Sequence, residues 1–332
     1  MSEFEENDIR PSDLIEKQSN ILKKDIQRML NNAKDFIHVG CPACAKKDIS
    51  STMEKYSFNF NICSHCETMY ISPRPSSSML EEYYKESENC RYWSKEIFPK
   101  SNNSRRNKIV IPRLERLLKF FSDKSENSKF VEVGAGFGTF SSEVLNRGIF
   151  DDVIVIEPNP FFSENCRKKN LTVLQSSFEN VDIDSESVDV LVAFEVIEHL
   201  FSPYKFIKKC YDMLKMGGIL SLTFPNIKGF DITTLGKFSK SIDNSHLNYF
   251  NPYSIKLLLE RCKFDIIDLK TPGVLDAEIV RKESINGNID LTEQPFLKSI
   301  LIERWDELGG KFQTFLIDNL LSSHLWVVAK KE

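Results

Sequence analysis

The sequence predicts an α/β protein built on a doubly wound, mostly parallel sheet, and three observations lead there. From residue 128 short apolar stretches alternate with helical patterns: KFVEVG, a helix near 138–147, DVIVIE, a helix at 161–169, LTVLQS, VDVLVAFE, a helix near 203–215, GGILSLTF, a helix at 252–262, then FDIIDLK. A parallel sheet with crossover helices requires that alternation. The first strand runs into a glycine-rich loop, and the second ends in a carboxylate, Glu157. A last apolar stretch, HLWVVAKK at 324–331, follows a segment (272–323) with helical patterns around 294–308 and 311–321. There is no internal repeat.

Composition agrees with a globular enzyme-sized chain. With 41% hydrophobic and 28% charged residues over 332 positions, it can bury a full core without disulfides. A net charge of -4 excludes a strongly basic, nucleic-acid-coating protein. No apolar run approaches the ~20 residues of a membrane span. The acidic start, MSEFEENDIR, is unlike a signal peptide. The expectation is a cytoplasmic protein whose eight cysteines are thiols or metal ligands.

In chain order, residues 1–35 read as an N-terminal helix. Leu14, Ile15, Ile21, Leu22, Ile26, Met29 and Leu30 fall at helical spacing over 11–35, with Ser12 as cap. Its apolar side serves for packing or a homodimer contact. Residues 36–80 read as a zinc ribbon, because Cys41, Cys44, Cys63 and Cys66 stand as C-x2-C-x18-C-x2-C. A two-residue gap lets one tight knuckle aim two thiolates at an ion, and two knuckles complete a tetrahedral, structural site. Tyr56, Phe58, Phe60 and Ile62 alternate as a strand entering the second knuckle. Ala45 and Glu67 stand where such knuckles often carry glycine, so strain is expected there. His65 either faces solvent or stands in for one cysteine as ligand. Residues 81–125 read as a helical linker with Tyr83, Tyr84, Tyr92 and Trp93, and with a basic set (Arg105, Arg106, Lys108, Arg113, Arg116) that forms either a solvated face or a phosphate contact. Residues 126–332 form the main domain.

KFVEVGAGFGTF places Gly134, Gly136 and Gly138 between strand and helix, where glycine permits a sharp turn and close approach of a ligand. The dinucleotide fingerprint needs one further glycine at Thr139, so nicotinamide binding is disfavoured. Glu157, nineteen residues after Gly138, is placed to accept both hydroxyls of a ribose.

These motifs resemble the class I S-adenosylmethionine-dependent methyltransferases over about 128–270. VEVGAGFG matches that family's first motif, VIVIEPNP the second, VDVLVAFEVIEHL the fourth-strand motif and LKMGGILSLTFPN the fifth. The resemblance implies a Rossmann-like seven-stranded sheet of order 3-2-1-4-5-7-6, with HLWVVAKK as the antiparallel seventh strand and 272–323 as a helical insertion before it. It implies that Glu132 and the loop Gly134–Ala135–Gly136–Gly138 hold the methionine end of the cofactor. Glu157, with Pro158 and Asn159 beside it, would take the ribose. Ser177 and Phe178 would flank the adenine, whose amine falls to Ser176, Ser177 or Glu179. Phe194 and Glu195 would line the pocket near the sulfonium.

Methyl transfer is an in-line displacement that also removes a proton from a hydroxyl or carbon acid. Glu195, Glu198 and His199 follow the fourth strand directly, and His199 is a candidate base oriented by a glutamate. The same residues with His246 are a candidate divalent-cation site, as in some methyltransferases that share E-x-x-E-H. A structural brace is the third reading. Tyr249, Phe250 and Tyr253 are either acceptor pocket or core, and Asn226 is a candidate polar contact.

CSHCETMYISPRPSSSMLEEYY resembles the N-terminal module of a bacterial methyltransferase subgroup that includes enzymes acting on nucleotide-linked deoxysugars and proteins found with surface-polysaccharide genes. It implies a sugar-type acceptor, nucleotide-linked or within a glycan, with the aromatic residues at 83–93 nearby. The competing readings are an RNA or protein methyltransferase that recognises its target through the ribbon, and a non-catalytic protein retaining the cofactor fold. Acidity disfavours nucleic acid.

Overall fold

The computed structural model describes residues 6–121, 126–243 and 245–332, so the first five residues of the acidic start and positions 122–125 of the linker lie outside it. Eleven strands are described: β1 (Ile49–Lys55), β2 (Phe58–Cys63), β3 (Met69–Ile71), β4 (Lys129–Val133), β5 (Asp152–Ile156), β6 (Thr172–Leu174), β7 (Val188–Phe194), β8 (Leu214–Pro225), β9 (Asn248–Tyr249), β10 (Phe264–Lys270) and β11 (His324–Lys331). The helices that matter here are α1 (Ser12–Leu30), α2 (Ser77–Glu86), α3 (Glu88–Tyr92), α4 (Phe98–Arg105), α5 (Ile111–Leu117), α6 (Thr139–Arg147), α7 (Pro160–Arg167), α8 (Pro203–Met213), α9 (Phe230–Leu235), α10 (Pro252–Arg261), α11 (Asp276–Ile285), α12 (Pro295–Lys298) and α13 (Trp305–Asp318). Among them none is long and apolar enough to cross a membrane.

The main sheet has seven strands in the order β10-β11-β8-β7-β4-β5-β6. β4 to β8 run parallel, and β11 is antiparallel to both β8 and β10. Central parallel strands are covered on both faces, which is why VDVLVAF and KFVEV are apolar almost throughout. The two-residue period still sorts them. Val131, Val133, Leu191, Ala193, Leu325 and Val327 pack with α8 and α10 on one face. Phe130, Val190, Val192, Trp326 and Val328 pack with α5 and α6 on the other.

The N-terminal segment forms a second sheet, β1-β2-β3-β9, whose last strand comes from the main domain. Met69 pairs with Tyr249 and Tyr70 with Asn248. The ribbon is therefore sewn to the segment that carries His246, and Phe58, Phe60, Ile71, Ile26, Leu80 and Tyr249 share one core. Arg74 is buried at this seam with no carboxylate partner among the described residues. It donates to the carbonyls of Ile71, Phe201 and Leu247 and to Asn248 Oδ1.

Several local expectations need correction. Ser12 does not cap α1: Pro11 occupies the N-cap position, no side chain caps the helix, and the helix stops at Leu30. Tyr56 belongs to a tight β1–β2 turn, with φ of 53° at Tyr56 and 63° at Ser57, rather than to β2. Glycines at 309 and 310 do not break the insertion. α13 runs through them because the Trp305 ring lies against Gly309, where a Cβ would come within 2.5 Å of it, and the break falls at Arg304.

Candidate active site

Open α/β sheets bind ligands beyond the carboxyl ends of their strands, and the residues singled out by the sequence gather there. The loop after β4 is left-handed at Gly134 (φ 70°), Gly136 (φ 53°) and Gly138 (φ 72°). The three glycines differ in what surrounds them. A Cβ on Gly134 would come within 2.6 Å of Val196 Cγ2, and one on Gly138 within 2.8 Å of Cys166 Sγ. Around Gly136 the nearest atom is Phe98 Cζ at 4.0 Å. Gly134 and Gly138 are thus packing requirements, whereas Gly136 borders open space. Gly134→Ala is expected to cost about 2 kcal/mol or more of stability, from strain and overpacking, in a urea unfolding curve.

Glu157 holds this loop. One carboxylate oxygen accepts from Gly136 N at 3.0 Å and the other from Asn159 N at 2.9 Å. Asn159 caps α7 and donates to the Tyr84 carbonyl at 2.6 Å, so its side chain is fully used. Glu132 lies beneath the loop and accepts from both the amide and the hydroxyl of Ser141 in α6. It positions the loop from below. Burial pushes the Glu132 and Glu157 carboxyls up to about 7. Phe178 is packed in the core against Phe206, at 4.7 Å between centroids, while Ser177 begins the turn beside it. Helices α3 to α5, joined by two π-turns, pass over the loop. Phe98 stacks on Phe137 at 5.7 Å and meets Trp93 at 5.3 Å, and Thr139 donates to Asn102.

The turn after β7 separates the two glutamates. Glu195 is left-handed (φ 57°) and points to the β8–β11 side. It accepts from the Thr223 hydroxyl at 2.6 Å, with Arg113 at 3.6 Å and His324 at 3.5 Å. Burial would raise its pKa, but His324, Arg113 and Thr223 outweigh it and hold the carboxyl below the ordinary range. Glu198 turns the other way and is 1% exposed, and neither of its oxygens has a hydrogen-bond partner among the described residues. Burial, with Glu195 nearby, pushes its pKa well up.

Glu198, His199 and His246 converge, with one ligand atom from each lying within 4.8 Å of the others. The two imidazoles are 4.7 Å apart between centroids. His199 Nδ1 is 2.7 Å from the Ser245 carbonyl, which can only accept, so Nδ1 carries the proton and Nε2 is left as an acceptor. Burial and His246 lower its pKa to about 4. His246 Nδ1 is buried without a hydrogen-bond partner among the described residues, 4.0 Å from Asp243 Oδ1. Tyr84 stands edge-on to His199 at 6.4 Å. The expected four-member group is therefore three, and Glu195 belongs with Arg113 and His324.

Other expectations resolve as structure. Asn226 is buried and donates to the carbonyls of Leu320 and Ser322, so it is no substrate contact. Tyr249 and Phe250 are core, and Tyr249 locks the 243–249 loop by exchanging hydrogen bonds with the Asp243 backbone. Tyr253 is exposed. Asp243, Ser245 and His324 were missed as site residues, and Arg113 was named only within the basic set, because tertiary contact alone brings them to the site.

The four ribbon cysteines also converge. Cys41 and Cys66 Sγ are 3.4 Å apart, Cys44 and Cys63 Sγ 3.5 Å, and all four lie within 4.8 Å of one another. Tetrahedral zinc with Zn–S of about 2.3 Å needs sulfurs about 3.8 Å apart, so the donor set fits. The knuckles repeat one backbone pattern. Ala45 N bonds Cys41 O and Cys41 N bonds Lys46 O; Glu67 N bonds Cys63 O and Cys63 N bonds Thr68 O. Ala45 (φ 64°) and Glu67 (φ 54°) take the left-handed position without glycine, as the spacing predicts. His65 is exposed.

A family model for the methyltransferase domain matches residues 131–222. The chain carries a methyltransferase domain. That span runs from β4 into β8 and so includes the glycine loop, Glu157 and the Glu195–His199 turn. A probable S-adenosylmethionine-dependent methyltransferase of Mycolicibacterium smegmatis is 25% identical over 142 residues, 43% of this chain and 53% of that protein. The chain thus spans about half the length of that relative. The mitochondrial ubiquinone biosynthesis O-methyltransferase of Mus musculus is 29% identical over 106 residues, 30% of this chain and 29% of that protein. Among solved structures, a chain of the complex between the Haloferax volcanii Trm112 methyltransferase activator and the putative methyltransferase is 13% identical, with TM-score 0.48, over 73% of this chain and 96% of that one.

Proposed function

We propose that the protein transfers a methyl group from S-adenosylmethionine to a hydroxyl or carbon acid on a sugar-type small molecule. One observation carries the reading. The Glu157-anchored glycine loop and the acceptor nitrogen of His199 stand at the same carboxyl edge of the sheet, on the neighbouring strands β4 and β7. Glu157 would take the ribose, the loop the methionine end, and His199 Nε2 the proton released as the acceptor attacks. The relative named for ubiquinone biosynthesis supports a small acceptor, while the acceptor's sugar character rests on the N-terminal resemblance. Cys41, Cys44, Cys63 and Cys66 would hold a structural zinc ion. The test is a panel of nucleotide-linked sugars, quinols, RNA and protein with labelled methyl donor, and a chain that binds no S-adenosylmethionine overturns the reading.

Two results at the cofactor site are expected. Gly136→Ala should fold, with a cost of about 1 kcal/mol for its left-handed backbone, yet lose tenfold or more in cofactor affinity. The new methyl would stand in the space open to the ligand. The second concerns pH. Glu157, raised to about 7, binds its proton more tightly folded than unfolded, where a glutamate titrates near ~4.3. Its effect on stability is thus a penalty absent below about pH 4 and complete above about pH 7. Cofactor affinity runs the other way, because ribose hydroxyls donate to the ionised carboxylate. It should rise up to about tenfold per unit towards pH 7 and level off above. Calorimetry across that range checks it, and Glu157→Gln should flatten the curve.

A second use of the Glu198–His199–His246 group is favoured by its orphaned atoms, both Glu198 oxygens and His246 Nδ1. One carboxylate and two imidazoles suit a divalent cation, which would polarise the acceptor oxygen. Methyl transfer that rises on adding Mn²⁺ or Mg²⁺ to dialysed protein supports that use, and an unchanged rate removes it.

A further inference from the structure

The basic residues of 105–116 split into two classes. Arg106 makes a two-pronged pair with Glu143 at 2.5 and 3.0 Å, and Lys108 pairs with Asp8 at 2.6 Å. Arg105 and Arg113 turn inward instead. Among the described residues Arg105 donates only to neutral oxygens, the Ser101 hydroxyl at 3.1 Å and the Ile9 carbonyl at 2.7 Å, and its guanidinium lies over Trp93 and Phe98. Arg113, with 14% of its side chain exposed, sits 4.5 Å over the Phe194 ring at the tip of β7. Its nearest carboxylate oxygen, on Glu195, is 3.6 Å away and already accepts from Thr223. His324 stands 3.3 Å from the same guanidinium.

Two partly buried arginines, Arg105 and Arg113, share one nearby carboxylate, Glu195, which also meets His324 and Thr223, and an excess of buried positive charge is costly. Burial and Arg10 lower the Arg105 pKa to about 9, with Glu195 as the nearby anion opposing them. The proposed cofactor worsens the imbalance. Its sulfonium and ammonium outweigh its one carboxylate, so it brings a net positive charge to an already cationic wall. An anion from the other substrate would restore balance.

We propose that Arg105 and Arg113 form an anion subsite beside the methyl-transfer position, and that the acceptor carries a phosphate or carboxylate group which they hold. Two planar guanidinium forks suit the oxygens of either group. The inference deepens the methyltransferase reading and rests on it for the position of the methyl group.

Calorimetry on the full chain saturated with S-adenosylhomocysteine, titrated with inorganic pyrophosphate, tests it. The wild type should bind. Arg113→Met and Arg105→Met should each weaken binding about tenfold or more, Arg113→Lys less, and Arg106→Met not at all. Should Arg113→Met fail to give a cooperative thermal transition, Arg113→Lys and Arg105→Met decide the outcome. Absence of pyrophosphate binding, or equal binding in all variants, overturns the proposal. So does a loss of S-adenosylhomocysteine affinity in Arg113→Met with that for 5′-methylthioadenosine kept, because the arginines then serve the cofactor's own carboxylate. A wild type that binds pyrophosphate but neither adenosyl compound would instead sink the cofactor reading and leave the subsite standing.

Discussion

Cys63→Ser is expected to abolish metal binding and to lower the thermal midpoint by about ten degrees or more. The wild type should contain about one zinc ion per chain by elemental analysis, and the variant none. The size of the effect follows from the linkage between metal and fold. A tetrathiolate zinc site contributes about 10–16 kcal/mol of apparent binding free energy in small peptides, comparable with the whole stability of a typical domain. The two knuckles are turns with left-handed Ala45 and Glu67, packed into the main core through Cys41, Ala43, Cys63 and Cys66. The consequence should extend beyond the ribbon. β3 pairs with β9, Asn251 donates to the Cys66 carbonyl, and Arg74 ties Leu247 and Asn248 to the ribbon side. These contacts fix the segment that begins at His246, so methyl transfer should fall together with the metal. Cys262→Ser, which removes none of the four converging thiols, should retain both. A metal-free wild type with a sharp thermal transition would end the zinc reading.

The parts legible from sequence were those set by local rules. Strand and helix alternation, the cysteine spacing and the glycine loop each depend on a few consecutive residues, and each is found where expected. What failed depended on direction or distant partners. Glu195 and Glu198 are three residues apart and look equivalent on paper. A left-handed backbone at Glu195 sends one towards Thr223 and Arg113 and the other into the interior. Asn226 and Tyr249 resembled ligand contacts because their types suit that role, yet both are consumed by loop carbonyls and amides. Arg105 and Arg106 are adjacent and identical in type, and only the position of Glu143 on α6 tells them apart. The helical patterns at 294–308 and 311–321 left 309–310 between them, and only the Trp305 ring beside Gly309 supplies a reason for glycine inside a helix.

His199→Ala is expected to reduce kcat by about 10²–10⁴, the usual contribution of a positioned base, with cofactor affinity unchanged. That loss alone does not separate a base from a brace, since alanine removes the bond to Ser245 as well. His199→Asn does. An asparagine amide nitrogen can replace Nδ1 and donate to the Ser245 carbonyl, but the side chain has no basic atom in place of Nε2. Activity kept in the asparagine variant assigns His199 to bracing, and activity lost in both assigns it to chemistry. Glu198→Gln then divides the chemical readings. A carboxyl buried without a partner stays protonated unless a cation joins it, and glutamine is nearly the same shape as that neutral acid. If His199 acts alone as base, the glutamine variant should retain activity within about tenfold. If Glu198, His199 and His246 share a divalent ion, the variant loses a ligand, and both activity and the response to added Mn²⁺ should collapse together.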